Sequence, residues 1–291
     1  MSFGHHPTVA ILQAGYMKSG NFWLWNVIEK VLQEAQLPRT SFIQTQPIYQ
    51  LAKNWELAFE GQAGMDFVAI TPEQLQCQIV PVFYWPIVDE EQYVKATSHV
   101  WTHSVMRPES LRRFRLFDKI VYIIRDPRDV AISYHRFSSN AFHQRFYGRR
   151  EKLTPQQDWG VHVLSFLTTR AELGAHIVFY ERLQREWEPE LDRLLAYLEI
   201  DLTPTQRAAV RAATAFETMK KKSTLHLAKG EAYGWTGVLD DKQQASFTYI
   251  HDRFLELLGY PLTKADAEAG KLPTLPTEAQ LAAAIPNLWT V

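Results

Sequence analysis

The fold is decided by residues 15–24, which read Gly15-Tyr16-Met17-Lys18-Ser19-Gly20-Asn21-Phe22-Trp23-Leu24. An apolar run leads into this segment, and apolar residues at helical spacing follow it. The pattern predicts a strand over 9–14, a turn, and a helix over 22–35. The first backbone N–H groups of a helix have no acceptor within the helix and lie at its positive end. The turn is therefore predicted to bind an anionic group such as phosphate or sulfate.

The side chains of this turn support the same prediction. Lys18 adds a full positive charge, Ser19 can donate a hydroxyl hydrogen bond, and Gly20 allows the backbone to approach a ligand closely. The spacing differs from the NTP-binding pattern Gly-x-x-x-x-Gly-Lys-Ser/Thr, because here the lysine precedes the glycine. An ordinary NTP-binding loop is therefore disfavoured. An ordinary strand-to-helix turn with a surface lysine is the structural alternative.

The composition favours one globular unit without a strong overall charge. Of the 291 residues, 46% are hydrophobic, which is enough for a large core. The formal net charge of −1 gives no global field that attracts nucleic acid or anionic lipid, so local basic groups must hold any anionic ligand. The single cysteine, Cys77, cannot form an internal disulfide, and no Cys/His spacing suggests a metal site. We see neither a secretion leader nor a membrane span, and we expect a cytoplasmic protein.

Predicted strands and helices alternate along most of the chain, which indicates a mostly parallel sheet with right-handed crossovers. The later strands are predicted at 96–102, 119–124 and 175–180, and the helices at 108–117, 128–138, 155–171, 184–198, 204–213 and 240–258. Residues 39–45 are a candidate second strand, and the pattern from 47 to 92 is irregular. Ligands of parallel sheets bind at the carboxyl ends of the strands, which is where Lys18, His103 and Arg125 fall.

A second motif follows the predicted strand at 119–124. It reads Ile123-Ile124-Arg125-Asp126-Pro127-Arg128-Asp129-Val130-Ala131-Ile132-Ser133-Tyr134. Arg125 stands at the strand end and Ser133 two helical turns later, so that a guanidinium and a hydroxyl can face one phosphate. A surface ion pair between Arg125 and Asp129 is the structural alternative.

Both motifs resemble phosphate-binding segments of the cytosolic-type sulfotransferases. The first is similar to their 5′-phosphosulfate loop, Tyr-Pro-Lys-Ser-Gly-Thr-Thr-Trp, with Met17, Asn21 and Phe22 as departures. The second is similar to their 3′-phosphate segment, Arg-Asn/Asp-Pro-Lys/Arg-Asp-Val-x-x-Ser-Tyr. Further similar stretches follow in the family's order, namely Trp159-Gly160-Val161-His162-Val163, Val178-Phe179-Tyr180-Glu181, Thr214-Ala215-Phe216-Glu217-Thr218-Met219-Lys220, Lys229-Gly230 and Gly234-Trp235.

The resemblance implies a fold and a cofactor. The fold is a single α/β domain over 1–260, with a central mostly parallel sheet flanked by helices in the P-loop-NTPase-like arrangement, and 261–291 form a C-terminal tail packed on or trailing from it. The cofactor is 3′-phosphoadenosine 5′-phosphosulfate, the product is adenosine 3′,5′-bisphosphate, and no metal takes part. The implied cofactor-binding residues are Lys18, Ser19, Gly20, Asn21, Phe22, Trp23, Arg125, Ser133, Tyr180, Thr214, Phe216, Met219, Lys229 and Gly230.

Two catalytic residues are expected. An in-line displacement builds charge on the leaving oxygen, and Lys18 is the candidate cation there. The hydroxyl of the acceptor needs a base near neutral pH, and His103 falls where the family has the histidine of its Lys-Thr-His motif. Trp101 occupies the place of that lysine, and Ala228 stands where the glycine-rich loop usually has arginine.

The acceptor is expected to be a small molecule with a hydroxyl on an apolar or aromatic body. The candidate pocket residues are Phe83, Tyr84, Trp85, Phe137, Phe142 and Tyr233. The alternatives to a sulfotransferase are a P-loop-type kinase and a nonenzymatic nucleotide-binding relative of the fold. No nucleic-acid partner is expected, and the oligomeric state stays open.

Overall fold

A computed structural model of the chain describes residues 9–79, 83–138, 155–222 and 231–287. The strands in these residues are β1 (Ile11–Gly15), β2 (Asp66–Ile70), β3 (Leu75–Ile79), β4 (Phe83–Pro86), β5 (His99–Thr102), β6 (Lys119–Ile124) and β7 (His176–Phe179). They form one sheet in the order β4-β3-β2-β5-β1-β6-β7. The neighbouring strands β2, β5, β1, β6 and β7 are parallel to one another. Strand β3 runs antiparallel to both of its neighbours, β2 and β4.

Helices cover both faces of this sheet. They are α1 (Asn21–Glu34), α2 (Phe42–Thr45), α3 (Pro47–Ala52), α4 (Glu90–Lys95), α5 (Leu111–Phe114), α6 (Pro127–Ser138), α7 (Pro155–Leu173), α8 (Tyr180–Arg185), α9 (Trp187–Leu198), α10 (Pro204–Thr214), α11 (Phe216–Lys222), α12 (Asp241–Leu257), α13 (Lys264–Glu268) and α14 (Glu278–Ala284). Short 3-10 helices cover Gln62–Gly64, Pro108–Ser110, Gly234–Gly237 and Ile285–Asn287.

A separate cluster of buried apolar residues packs on each face of the sheet. On one face, strand residues pack against α1, α9 and α10 through Ile11, Val27, Ile28, Val121, Ile123, Val178, Leu191 and Leu194. On the other face, they pack against α7 and α12 through Leu12, Tyr122, Ile124, Trp159, Phe166 and Phe254. Because β1 and β6 are covered on both faces, their sequences are almost continuously apolar.

The predicted α/β fold with a mostly parallel sheet is confirmed. Strand β6 covers the predicted residues 119–124, and β1 and α1 differ from their predicted bounds by one or two residues. Helices α6, α7 and α10 also begin or end within two residues of the prediction. These elements carry strong local signals, such as a proline in the first turn of α10.

The prediction of a strand at 39–45 is wrong. This stretch holds the short helix α2, whose amino terminus is capped by Ser41, and the Ser41 hydroxyl accepts a hydrogen bond from the Gln44 amide at 3.3 Å. The irregular region at 47–92 in fact contains α3, the start of α4 and the three strands β2, β3 and β4. Strands of four or five residues give too few alternations to stand out from the sequence.

Two predicted helices are broken. The helix expected over 108–117 is a 3-10 turn followed by α5, which ends at Phe114. The helix expected over 184–198 is divided into α8 and α9 at Glu186, whose φ of −121° and ψ of 53° are not helical.

The described part of the tail, up to residue 287, packs on the sheet domain. Arg128 Nη2 donates to the Pro261 carbonyl at 2.6 Å, and Arg170 Nη2 donates to the Pro276 carbonyl at 2.7 Å. Leu281 on α14 is buried in the larger of the two clusters. We therefore treat the tail as part of one folded unit with the sheet.

Within the described residues, no helix combines the length and the apolar character needed to cross a bilayer.

Candidate functional site

The turn between β1 and α1 holds a backbone shape that depends on Gly20. Lys18 and Gly20 have φ of 65° and 96°, and the Ser19 amide donates to the Tyr16 carbonyl at 3.2 Å. A Cβ atom on Gly20 would lie 2.5 Å from Cδ2 of the Tyr180 ring. Glycine is therefore required both by the positive φ and by the close approach of the tyrosine.

This turn offers unpartnered donors at the amino terminus of α1. No side chain caps the helix at Gly20, so its first amides are open to an anion. The Ser19 hydroxyl is buried and has no hydrogen-bond partner among the described residues. The Asn21 side chain, by contrast, donates to the Tyr16 carbonyl at 2.8 Å and so holds the turn in shape. The arrangement fits a phosphate or sulfate group.

Two cations converge beside the turn. Lys18 Nζ lies 4.3 Å from the centre of the Phe137 ring, and the Arg125 guanidinium lies 4.1 Å from the centre of the Tyr180 ring. Arg125 Nη1 also reaches the Lys18 carbonyl at 3.4 Å. Burial, followed by the charge of Arg125, lowers the pKa of Lys18 to about 8. Lys18 is therefore still mostly charged at pH 7, but its charge is poorly compensated and suits an anionic ligand.

Asp129 ties the second motif to the chain after the glycine-rich loop. Its Oδ1 accepts a hydrogen bond from the Trp235 amide at 2.8 Å, and its Oδ2 lies 3.9 Å from Arg125 Nη2. Burial raises the pKa of Asp129 to about 6, against the opposing effect of Arg125. Asp129 thus contacts both Arg125 and the Trp235 amide, while the Arg125 side chain keeps a buried Nε without a partner among the described residues.

His103 follows the carboxyl end of β5. Its Nδ1 lies 2.6 Å from the Gly15 carbonyl oxygen, which can only accept, so Nδ1 carries the hydrogen. Burial, with a smaller effect of the Lys18 charge, lowers the pKa of His103 to about 4. The imidazole is therefore neutral at pH 7, and its lone pair is on Nε2. A neutral imidazole in this tautomer can take a proton from a bound hydroxyl.

Aromatic rings surround His103. The rings of Phe67 and Trp101 each lie 5.4 Å from the His103 ring, centre to centre. Trp101 also packs with Phe22 and Met219 in a small apolar cluster. Phe67 was missed from the sequence because β2 lies in the region that gave no clear strand pattern. His99, at the start of β5, bonds Glu29 at 2.9 Å and stacks on an aromatic ring of α1.

Four of the expected cofactor-binding residues, Trp23, Thr214, Phe216 and Met219, lie around the end of α10. The Trp23 indole Nε1 donates to the Thr214 carbonyl at 2.9 Å, and its ring meets the Tyr180 ring edge-on at 5.4 Å. The Thr214 hydroxyl donates to the carbonyl of the preceding helical turn, and Met219 is fully buried. The Phe216 ring lies beside Lys220. These contacts bring the predicted residues together, but the hydroxyl of Thr214 is already used within the helix.

Other predicted residues are scattered. Ser133 is half-buried on α6, and on β4 the rings of Phe83 and Trp85 lie 4.9 Å apart against the core, while Tyr84 is half-exposed. Tyr233 is buried, and its hydroxyl donates to the Lys271 carbonyl of the tail at 2.7 Å, so it supports the tail. Phe137 is the pocket candidate that meets Lys18. Phe142, Lys229 and Gly230 lie outside the described residues.

No group of three or more histidine, cysteine, aspartate or glutamate side chains in the described segments is arranged to hold a metal ion. Lys18, Arg125 and the amides of α1 give the turn a positive field.

Comparison with known proteins gives a consistent result. A family model described as "Sulfotransferase domain" matches residues 9–250. The chain is 22% identical to Sulfotransferase 2B1 of Rattus norvegicus over 213 residues, a match that covers 70% of this chain and 54% of that protein. It is 23% identical to a 3-beta-hydroxysteroid sulfotransferase of Cavia porcellus over 264 residues, covering 87% of this chain and 78% of the relative. The chain thus spans about half the length of the rat relative.

Two solved structures share the fold. The structure of mouse sulfotransferase SULT7A1 complexed with PAP aligns with a TM-score of 0.52 at 19% identity, covering 84% of each chain. The structure of a retinol dehydratase in complex with retinol and PAP aligns with a TM-score of 0.56 at 16% identity, covering 88% of this chain and 84% of that one.

Proposed function

The chain belongs to the sulfotransferase family, and from that premise we propose that it moves a sulfuryl group from 3′-phosphoadenosine 5′-phosphosulfate to a hydroxyl of an apolar or aromatic small molecule. The observation that carries the proposal is the placement of Lys18 and His103 at the ends of the paired strands β1 and β5, with the His103 ring bonded to β1 at Gly15. A cation for the leaving group and a neutral base for the acceptor thus lie together at the carboxyl ends of these two strands.

The residues that follow the carboxyl ends of these strands fit the donor nucleotide. The Ser19 hydroxyl, the amides of α1 and Lys18 suit the 5′-phosphosulfate, and Gly20 adds no side chain of its own to the turn. Arg125 and Ser133 are proposed to hold the 3′-phosphate, with Lys229 and Gly230 as further candidates. The donor supplies the sulfuryl group and leaves as the bisphosphate. Two structural relatives were solved with PAP, which supports this choice of nucleotide.

His103 and Lys18 then divide the work of the reaction. Nε2 of His103 takes the proton of the acceptor hydroxyl while the acceptor oxygen forms its bond to sulfur. The bridging S–O bond breaks, and the Lys18 ammonium stabilises the charge that builds on the leaving oxygen. The aromatic rings of Phe67 and Trp101 exclude water from the base and suit an apolar acceptor.

A transfer assay tests the proposal. The purified chain is incubated with donor carrying a ³⁵S label and a panel of phenols, sterols and aliphatic alcohols, with and without EDTA. We expect label to appear on at least one acceptor and EDTA to leave the rate unchanged. Nucleotide binding without transfer to any acceptor would favour a nonenzymatic relative of the fold. Phosphoryl transfer from ATP that requires Mg²⁺ would favour a kinase.

A further inference from the structure

A hydrogen-bonded line that the proposed reaction does not use runs from β6 through α7 to the base. The Tyr122 hydroxyl lies 2.7 Å from Nδ1 of His162, and Nε2 of His162 lies 3.1 Å from the backbone carbonyl oxygen of His103. Tyr122 is on β6 and His162 is on α7, and both side chains are buried. The line therefore reaches the backbone of the one histidine that the mechanism depends on.

The partners in this line fix where each hydrogen lies. The His103 carbonyl can only accept, so Nε2 of His162 must be the donor. Nδ1 of His162 then carries the lone pair and accepts from the Tyr122 hydroxyl. Burial lowers the pKa of His162 to about 4, which keeps its ring neutral at pH 7. His162 and His103 are thus held in opposite tautomers, Nε2–H and Nδ1–H.

We propose that His162 and Tyr122 are positioning residues for His103. His162 fixes the carbonyl of His103, and the Gly15 carbonyl fixes its ring, so the base is held at two points with Nε2 free. Tyr122 acts through His162, because its hydroxyl donates to Nδ1 and holds the orientation of the ring that donates to the His103 carbonyl. This inference rests on the proposed role of His103 as the base.

The packing around His162 supports a fixed ring. The His162 ring stacks on Tyr122 and Phe166 at 5.6 Å each, centre to centre, and meets Tyr16 of the anion-binding turn edge-on at 5.6 Å. Because His162 touches the turn on one side and the base on the other, a change in its tautomer would disturb the region between donor and acceptor.

The first test reads the tautomers directly and needs no enzymatic activity. NMR of protein with ¹⁵N-labelled histidine, assigned with His103→Gln and His162→Gln, should show His103 as Nδ1–H and His162 as Nε2–H at pH 7. Tyr122→Phe should then shift the Nδ1 signal of His162, which loses its hydrogen-bond donor, and shift the His103 signals. The same tautomer in both histidines, or unchanged signals in Tyr122→Phe, would overturn the proposal.

The second test separates positioning from packing. Tyr122→Phe should lower kcat by about tenfold, as expected for one lost hydrogen bond, with unchanged affinity for adenosine 3′,5′-bisphosphate. His162→Gln keeps a donor for the His103 carbonyl and should retain more activity than His162→Leu. Phe166→Leu is the matched control, because it removes a stacked ring without a hydrogen bond and should lower the Tm while leaving the tautomers unchanged.

The outcomes distinguish the two proposals. If no acceptor is ever sulfated, the proposed function fails, while the NMR result still shows whether the line sets the tautomers. If transfer occurs and Tyr122→Phe and His162→Leu both turn over at the wild-type rate, the positioning role is refuted and the proposed function stands.

Discussion

Burial sets the charge states of the two groups proposed to carry the reaction. Lys18 is half-buried beside Arg125 and keeps its proton only up to about pH 8, whereas His103 stays neutral down to about pH 4. Both shifts have desolvation as their largest cause. The site therefore holds a cation and a neutral base together at neutral pH: the lowered pKa secures the neutral form of His103, whereas that of Lys18 brings loss of its proton closer to neutral pH.

A comparison of two alanine variants tests these roles. His103→Ala should lower kcat by about 10²–10⁴ and leave the affinity for adenosine 3′,5′-bisphosphate unchanged, because the base does not contact the nucleotide. Lys18→Ala should weaken both rate and affinity, since its ammonium faces the donor in the ground state and the leaving oxygen in the transition state. Steady-state kinetics and calorimetry measure the two effects. His176→Ala is the control, because it removes a partly buried histidine at the amino-terminal end of β7, away from the strand ends that carry Lys18 and His103. Near-wild-type turnover of a folded His103→Ala protein would assign the base to another group.

The pH dependence of kcat/KM gives a second test at the same scale. The rate should fall below about pH 4 as His103 gains a proton, and above about pH 8 as Lys18 loses one. Lys18→Arg should move the alkaline limb upward, because a guanidinium keeps its proton. An alkaline limb at the same pH in that variant would remove Lys18 from the ionising groups that matter.

At the scale of elements, the connection from β1 to α1 is held by a steric fit. Gly20 and Gly61 both have positive φ, of 96° and 83°, but a Cβ would meet the Tyr180 ring only at Gly20. Gly20→Ala should therefore lower the free energy of unfolding by about 1–3 kcal/mol more than Gly61→Ala, which carries only the conformational cost. Urea unfolding measures the difference, and nucleotide affinity should fall in Gly20→Ala alone. Equal losses in the two variants would show that the Tyr180 ring moves aside freely.

The second motif, at the end of β6 and on α6, should discriminate between adenosine 3′,5′-bisphosphate and 5′-AMP. Arg125 and Ser133 are proposed to contact a phosphate that 5′-AMP lacks, and charged hydrogen bonds contribute about 1.5–3 kcal/mol. Adenosine 3′,5′-bisphosphate should therefore bind roughly tenfold to a hundredfold more tightly than 5′-AMP by calorimetry. Arg125→Gln should remove most of this preference and leave 5′-AMP binding nearly unchanged. Equal affinity of the wild-type chain for the two nucleotides would contradict the assignment.

The elements that carry the motifs were predictable because their signals are local. An apolar run, a glycine and an amphipathic pattern indicate the connection from β1 to α1 within a few residues. Pro127 begins α6 within one residue of the predicted start. The strands β2, β3 and β4 were not predictable, because the sequence around them shows no clear pattern and their antiparallel pairing forms only in the folded sheet. The same limit applies to side chains. Tyr233 was expected in the pocket, but its place depends on a tail carbonyl, at Lys271, that no local pattern indicates.

At the scale of the whole molecule, one buried carboxyl group joins the sheet to the tail. Glu181 follows β7, its Oε1 accepts from the Asp126 amide at 2.9 Å, and its Oε2 pairs with the Tyr260 hydroxyl at 3.0 Å. It therefore links the turn after β6 to the chain that enters the tail. Arg128 strengthens the same region, because it bonds Asp126 and the Pro261 carbonyl.

Glu181→Gln should reveal the charge state of this link. Burial, followed by the charge of Asp126, raises the pKa of Glu181 from 4.5 to about 8. Between these values the folded chain binds one more proton at this site than the unfolded chain does. The contribution of Glu181 to stability is therefore complete below pH 4.5 and declines as pH rises toward 8.

Glutamine can accept from the Asp126 amide and donate to the Tyr260 hydroxyl, but it has no proton to lose. The stability of Glu181→Gln relative to wild type should therefore increase with pH, by at most about 1.4 kcal/mol per pH unit. Urea unfolding at pH 5, 6, 7 and 8 measures the trend, with Glu60→Gln as an exposed control. All other titrating groups are common to both proteins and cancel in the difference. A difference that stays constant with pH would mean that Glu181 is ionised in the folded protein and that its link to the tail is a charged one.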